Sequence, residues 1–186
     1  MLSDFEFIRL LPDHSLKSFN CGTGQICDDL NDFFHNDAKA YLLQLLTVTY
    51  LFESSDSTVA FFSVLNDKIT IEDSGEKKFF NLLSRKSKIP NEKRWPSYPA
   101  VKVARLGVHL PYQGRDIGTA ILDFIKMFFT EKNKTGCRYI TVDAYNESRV
   151  IKFYLRNDFT FLTESDKDDP TRLMYYDLMR WIPIKS

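Results

Sequence analysis

Seven consecutive residues, Gln113-Gly114-Arg115-Asp116-Ile117-Gly118-Thr119, have the types and order to hold an anion. An apolar, β-forming stretch ending in Arg105-Leu106-Gly107-Val108 precedes them. From Ile117 onward, apolar residues recur at helical spacing. A strand, a glycine-bearing turn and a helix in that order leave unpaired backbone N–H groups at the helix start, where about half a positive charge also gathers. Such an end binds pyrophosphate, and glycine lets the backbone approach closely. The candidate anion ligands are therefore the backbone amides from Gln113 to Thr119. A second segment adds to this one: Asp143-Ala144-Tyr145-Asn146, followed by Phe153-Tyr154-Leu155-Arg156-Asn157-Asp158-Phe159.

Together the two segments resemble the cofactor motifs of the GNAT superfamily of N-acetyltransferases. The first is similar to its Gln/Arg-x-x-Gly-x-Gly/Ala acyl-CoA loop, here Gln113 to Gly118. The second is similar to its Asn … Phe-Tyr-x-x-x-x-Phe element, here Asn146, Phe153, Tyr154 and Phe159. One position departs: the central glycine of the loop is Asp116. A carboxylate beside a pyrophosphate is an electrostatic liability. Asp nevertheless tolerates unusual backbone angles better than most residues, and its side chain can point outward or toward the helix start.

The resemblance implies transfer of an acetyl group from acetyl-CoA, as co-substrate, to a primary amine. That reaction must hold the CoA phosphates, polarise the thioester carbonyl, deprotonate the amine and stabilise the leaving thiolate. The Gln113 to Thr119 amides would serve the first need. The main chain of Leu106, Gly107 and Val108 would serve the second, as a strand running beside the pantetheine. Gly107 suits a bulge or close approach, or else packing under a large neighbour. By its motif position, Tyr154 matches the family's usual general acid, donating its phenolic proton to the departing sulfur. Its competing reading is a core tyrosine sharing a helix face with Val150 and Phe153. Asn146 would orient the cofactor, or simply occupy a helix N-terminus. The base stays open among Glu53, His109, Tyr98 and a relayed water.

The elements that must position these groups can be read from periodicity. Phe5 to Leu10 predicts a first strand. Ile26, Leu30, Phe33, Phe34 and Ala38 predict a helix after the turn at Gly22 and Gly24. Thr47 to Glu53 and Thr58 to Leu65 predict a hairpin around Ser54-Ser55-Asp56-Ser57. Asn66 to Ala100 is the least regular part, with a short helix at Phe79, Phe80, Leu82 and Leu83 and a loop through Pro90, Pro96 and Pro99. Val101 to Val108 predicts a strand. Ile117, Ala120, Ile121, Phe124 and Phe128 predict a helix to about Lys132. A strand over Arg138 to Asp143, a helix around Val150 to Tyr154, and strands at Phe159 to Phe161 and Leu173 to Met179 complete the chain. Strand–helix–strand order in the second half demands a parallel pair at the sheet centre. The expected product is α/β (α+β): a single domain over residues 1–186, with a mixed, mostly antiparallel sheet flanked by helices. That is also the GNAT fold.

Bulk properties agree with one folded domain. The chain has 186 residues, 16 of them Phe, and a formal net charge of zero. A basic n-region and an apolar h-region are both missing from Met1-Leu2-Ser3-Asp4, and the longest apolar run, Tyr41 to Phe52, is too short and polar to span a bilayer. A cytoplasmic protein without a membrane partner is expected. Cys21, Cys27 and Cys137 lack a zinc spacing and read as free thiols. No metal is expected: Asp168-Asp169-Pro170 reads as an acidic turn, and no Ser/His/Asp triad or P-loop competes. Charge is uneven, with a basic run from Lys77 to Arg105 whose one acid is Glu92.

A finer resemblance joins Phe19-Asn20-Cys21-Gly22, Leu30, Phe33-Phe34, Asp37-Ala38 and Arg105-Leu106-Gly107-Val108 to a GNAT subgroup that includes acetyltransferase toxins. It implies an alternative acceptor, the free amine of aminoacyl-tRNA, with the Lys77 to Arg105 run on tRNA phosphates and an antitoxin as partner. A homodimer is compatible with either acceptor. The other alternative is a degenerate GNAT that binds CoA or a protein partner without catalysis. Asp116 favours that alternative, and intact Tyr154 and Asn146 oppose it.

Overall fold

Aromatic and β-branched stretches fit a pleated, half-buried surface, and here they become strands. In the computed structural model, which describes residues 2–70, 72–73, 97–131 and 135–182, these are β1 (Glu6–Arg9), β2 (Val48–Glu53), β3 (Thr58–Thr70), β4 (Ser97–Val108), β5 (Tyr139–Tyr145), β6 (Thr160–Phe161) and β7 (Thr171–Asp177). They form one sheet in the order β1-β2-β3-β4-β5-β7-β6. β4 and β5 run parallel, with Ala100 opposite Tyr139 and Lys102 opposite Thr141. The β1–β2, β2–β3, β5–β7 and β6–β7 pairs are antiparallel. The helices are α1 (Gln25–Asp32), α2 (Ala38–Leu43), α3 (Ile117–Glu131) and α4 (Ser148–Arg156). This is the expected mixed sheet with a central parallel pair. No helix among the described residues is long and apolar enough to cross a membrane.

The chain divides into two compact units, Met1–Leu65 with Val103–Ile125 and Asn66–Lys102 with Lys126–Ser186. In the first, Phe19, Phe34 and Phe61 pack with ring centroids 4.8 to 5.1 Å apart. A π-helical turn, Phe33–Asp37, joins α1 to α2. Its wider winding lets Phe33 and Phe34, adjacent in sequence, both enter this core. Phe124 of α3 reaches Phe7 of β1 and Phe52 of β2 at 4.7 and 5.5 Å. In the second unit, Ile69, Tyr98, Ala100, Tyr139 and Leu162 form the buried cluster.

Several boundaries differ from the sequence reading, most of them by one or two residues. β3 continues to Thr70, and β4 begins at Ser97, so Pro99 lies in a strand. Pro99 is exposed there, and its carbonyl accepts from the Arg138 N–H at 2.8 Å. A missing N–H is harmless where the ladder needs only the acceptor. The last strand ends at Asp177, followed by a 3-10 turn over Leu178–Arg180. In α3 the buried stripe is Ile117, Ile121, Leu122, Ile125 and Phe129, while Ala120, Phe124 and Phe128 are half-buried. A helix apolar on most sides carries no phase of its own, so packing chooses it. The predicted helix at Phe79 to Leu83, the loop prolines Pro90 and Pro96 and most of the basic run lie outside the described residues.

Candidate active site

The Gln113 to Thr119 turn leads from the end of β4 into α3. After β4 ends, the His109 N–H donates to the Val59 carbonyl at 2.9 Å and the Leu110 N–H to the Asn20 carbonyl at 2.8 Å. A 3-10 turn over Leu110–Tyr112 follows. Gly114 then takes φ +72° and Asp116 φ +54°. Both are left-handed, the second in a residue type that visits this region more readily than most. The first intrahelical bond of α3 runs from the Ala120 N–H to the Asp116 carbonyl at 2.9 Å. The amides of Ile117, Gly118 and Thr119 precede it, as at any helix start. Gly114, Arg115 and Asp116 are exposed, so the turn is open to a ligand from solvent.

Gln113 holds the turn through its side chain. Its Nε2 donates to the Cys21 carbonyl at 2.8 Å and to the Val108 carbonyl at 2.9 Å, tying the turn to the end of β4 and to the segment before α1. That segment is itself fixed: Asn31 Oδ1 accepts from the Cys21 N–H at 3.0 Å, and Asn20 Oδ1 from the Gly22 N–H at 2.7 Å. Asn20 and Asn31 are positioning residues whose roles emerge only from the fold. Their signal was present, since short amides favour bonds to nearby backbone, but the partners were not nameable. Cys21, Cys27 and Cys137 are free. Burial, aided by the neighbouring Cys27, pushes the Cys21 thiol up to about 12, so it is no nucleophile at neutral pH.

Gly107 has a packing reason. A Cβ there would lie 2.7 Å from Phe61 Cε1 and 2.9 Å from Phe19 Cζ. The requirement for glycine comes from these two rings. The suggested bases also find structural work. Tyr98 is buried in the aromatic cluster, edge to face with Tyr139 at 5.9 Å. Glu53 is buried, with Oε1 bonded to His14 Nε2 at 3.1 Å and to Thr58 Oγ1 at 3.2 Å; Lys17 Nζ lies 3.1 Å from Oε2. His109 Nδ1 faces the Asn20 backbone, 2.7 Å from its carbonyl oxygen and 3.0 Å from its nitrogen. The described cations of the basic run are paired: Lys102 with Asp143 at 2.8 Å, and Arg105 with Asp29 at 3.1 Å.

In the second unit, β5 delivers Asn146 and α4 delivers Tyr154. The Asn146 amide group donates to the Lys167 and Asp169 carbonyls, both at 2.9 Å. Its donors are thus spent on the 167–170 turn, and a cofactor is left only Oδ1. It does not cap α4 either: Glu147 is the N-cap, without a side-chain cap bond. Tyr154 is 7% exposed. Burial pushes its phenol above the ordinary tyrosine range, so it remains a proton donor at physiological pH. Below it, Lys126 Nζ donates to the Asn157 carbonyl at 3.2 Å and sits 4.7 Å from the Tyr176 ring, a cation at the negative end of α4. Among the described residues no group of three or more His, Cys, Asp or Glu could hold a metal ion.

Neither a protein-family model nor a curated protein sequence matches the chain significantly. Solved structures do match in shape. A tyrosine-to-phenylalanine mutant of KacT superposes with TM-score 0.73 at 16% identity, covering 96% of this chain and 99% of that one. AtaT complexed with acetyl-methionyl-tRNAfMet gives 0.73 at 15% identity, with 96% and 97% covered. AtaTR bound with acetyl-CoA gives 0.71 at 16% identity, with 96% of each chain covered. The chain shares the GNAT-like fold of these structures. In that fold the parallel pair is β4 with β5, and each of these strands runs on into one of the two motifs. β4 ends at the Gln113 to Thr119 turn, and β5 ends at Asn146 and α4.

Proposed function

We propose that this chain is an N-acetyltransferase moving the acetyl group of acetyl-CoA to a primary amine. One observation carries the reading: the donor-bearing turn from Gln113 to Thr119, held by Gln113 at the head of α3, in a chain with the GNAT fold. Its amides would bind the pyrophosphate, and the main chain of Leu106 to Val108 would hydrogen-bond along the pantetheine and thioester. The acceptor nitrogen attacks the acetyl carbon; the C–N bond forms, the C–S bond breaks and the amine loses a proton to a base not yet assigned. Tyr154 gives its proton to the sulfur and regains one from solvent. The site residues proposed are Tyr154 for proton transfer, and Leu106 to Val108 and Gln113 to Thr119 for the cofactor, with Asn146 supporting through its turn.

The similarity to AtaT complexed with acetyl-methionyl-tRNAfMet favours a second reading of the acceptor, aminoacyl-tRNA, which would bring an antitoxin partner with it. Thiol release from acetyl-CoA, followed over amines that include aminoacyl-tRNA, tests both. Release with a small or protein amine supports the first, and release with charged tRNA alone supports the second. Failure on every acceptor by protein that binds CoA would overturn catalysis.

A further inference from the structure

The outer face of α4 carries charge that neither motif explains. Arg149, Lys152 and Arg156 follow one another at intervals of three and four residues, so they share one helix face. All three are exposed, and with Leu155, 43% exposed, they line a shallow depression of about 300 Å³. No carboxylate among the described residues forms a salt bridge with any of them, and the helix between Ser148 and Arg156 contains no acid. Elsewhere in this unit other arginines are paired: Arg138 with Asp177 at 2.9 Å and the exposed Arg180 with Asp158 at 3.4 Å, while the buried Arg172 meets Asp166 at 2.8 Å. At roughly 100° per residue, Tyr154 points to nearly the opposite side of the helix from the middle of this row. The row is therefore separate from the proton-transfer face.

We infer that the Arg149–Lys152–Arg156 row is a docking surface for the phosphate backbone of an RNA. The charge pattern carries this. Three unpaired cations spaced along about 10 Å of helix axis match a linear polyanion. Guanidinium forks take phosphate oxygens in pairs, and two of the three cations are Arg. Leu155 supplies the one apolar surface, enough for a ribose or base edge. Backbone contacts of this kind position a nucleic acid without reading its sequence. The surface does not depend on acyl transfer. Should the acceptor be aminoacyl-tRNA, the row would hold the tRNA body at a distance from the reacting amine. It would do so in place of Lys102 and Arg105, which are already paired.

Fluorescence anisotropy with labelled tRNA, measured over a salt series, tests this on the whole protein. The wild type should bind more weakly as salt rises, with a slope of log K against log salt that grows by about 0.7 to 0.9 per neutralised phosphate. Arg149→Gln, Lys152→Gln and Arg156→Gln combined should lower the magnitude of that slope by about 2 to 3 and weaken binding at least ~10-fold in low salt. Single Arg→Lys changes should retain the slope. Unchanged affinity and slope in the triple variant would overturn the inference. So would absence of binding by the wild type, or equal competition by polyglutamate, which would reassign the surface to an acidic protein. Calorimetry with CoA runs in parallel. A triple variant that loses CoA as well as tRNA places the row in the cofactor site and also overturns it. RNA binding by a wild type that transfers no acetyl group leaves this inference standing and removes the acetyltransferase reading.

Discussion

The N–H of Phe159 donates to the carbonyl of Tyr154 at 3.1 Å, and the two rings meet at 65° with centroids 5.4 Å apart. The Asp158 N–H donates to the Leu155 carbonyl at 3.1 Å, and Asp158 itself takes φ +66°. These bonds and that left-handed residue make a Schellman ending of α4, with its accompanying apolar contact. The Phe-Tyr-x-x-x-x-Phe spacing therefore has a physical origin: four residues separate Tyr154 from Phe159, the two positions that such a helix ending brings together. The tyrosine proposed to act on the thiolate is fixed by the way its helix stops. Phe159→Leu keeps the burial but removes the ring contact. It should cost about 1 kcal/mol of stability and lower turnover by more than that loss of folded protein explains. Urea titration and kcat together check it; a stability change with unaltered kcat would make Phe159 a packing residue only.

Tyr154→Phe preserves the ring and removes the hydroxyl. General acid catalysis is worth roughly 10²–10⁴-fold, so turnover should fall on that scale while CoA affinity holds. Wild-type turnover in this variant would reduce Tyr154 to a core residue.

The same substitution has a consequence at alkaline pH. Burial raises the folded-state pKa of Tyr154 above its unfolded value near 10. The folded state then favours the protonated phenol. That contribution is complete below pH ~10 and is lost as pH rises from there through the folded value. From about pH 10 upward the Tm of the wild type should drop more steeply than that of Tyr154→Phe. Tyr50, also raised by burial, is present in both proteins and adds a fall common to both. Parallel Tm curves would show that the phenol is better solvated than its surroundings imply.

At the turn, Gly118→Val places a branched side chain where phosphate must approach. CoA binding should weaken at least tenfold, or about 1.4 kcal/mol. Asp116→Gly acts in the other direction, because it removes a carboxylate from the proposed phosphate site and relieves a left-handed residue at φ +54°. Affinity should rise. Calorimetry on both variants reads the outcome, and unchanged affinity in folded Gly118→Val would move the cofactor elsewhere.

Gly107→Ala separates packing from cofactor binding. Its new methyl group would meet Phe61 and Phe19 closer than 3 Å. Overpacking of this kind costs typically ~1–3 kcal/mol. A lowered denaturation midpoint is expected with or without CoA. A variant of wild-type stability that has lost CoA affinity would instead make Gly107 a ligand-approach residue.

Much of this protein was determined locally. The Gln113 to Thr119 turn, the Ser54 to Ser57 hairpin and the parallel pair at the sheet centre follow from residue types and spacing. Turn chemistry, strand periodicity and crossover handedness act over short stretches of chain, and such information survives in a linear reading. Other features were settled only by contacts distant in sequence. Which stripe of α3 is buried depended on the aromatic rings it met, because an almost uniformly apolar helix has no phase of its own. The reason for glycine at 107 lay in Phe19 and Phe61, 88 and 46 positions away. Asn146 spent its donors on a turn more than 20 residues later. Glu53, Tyr98 and His109 looked available as bases because a sequence displays a side chain's chemistry without its partners. Only folding brought His14, Tyr139 and the Asn20 backbone to them, and partner choice between distant residues is what tertiary packing decides.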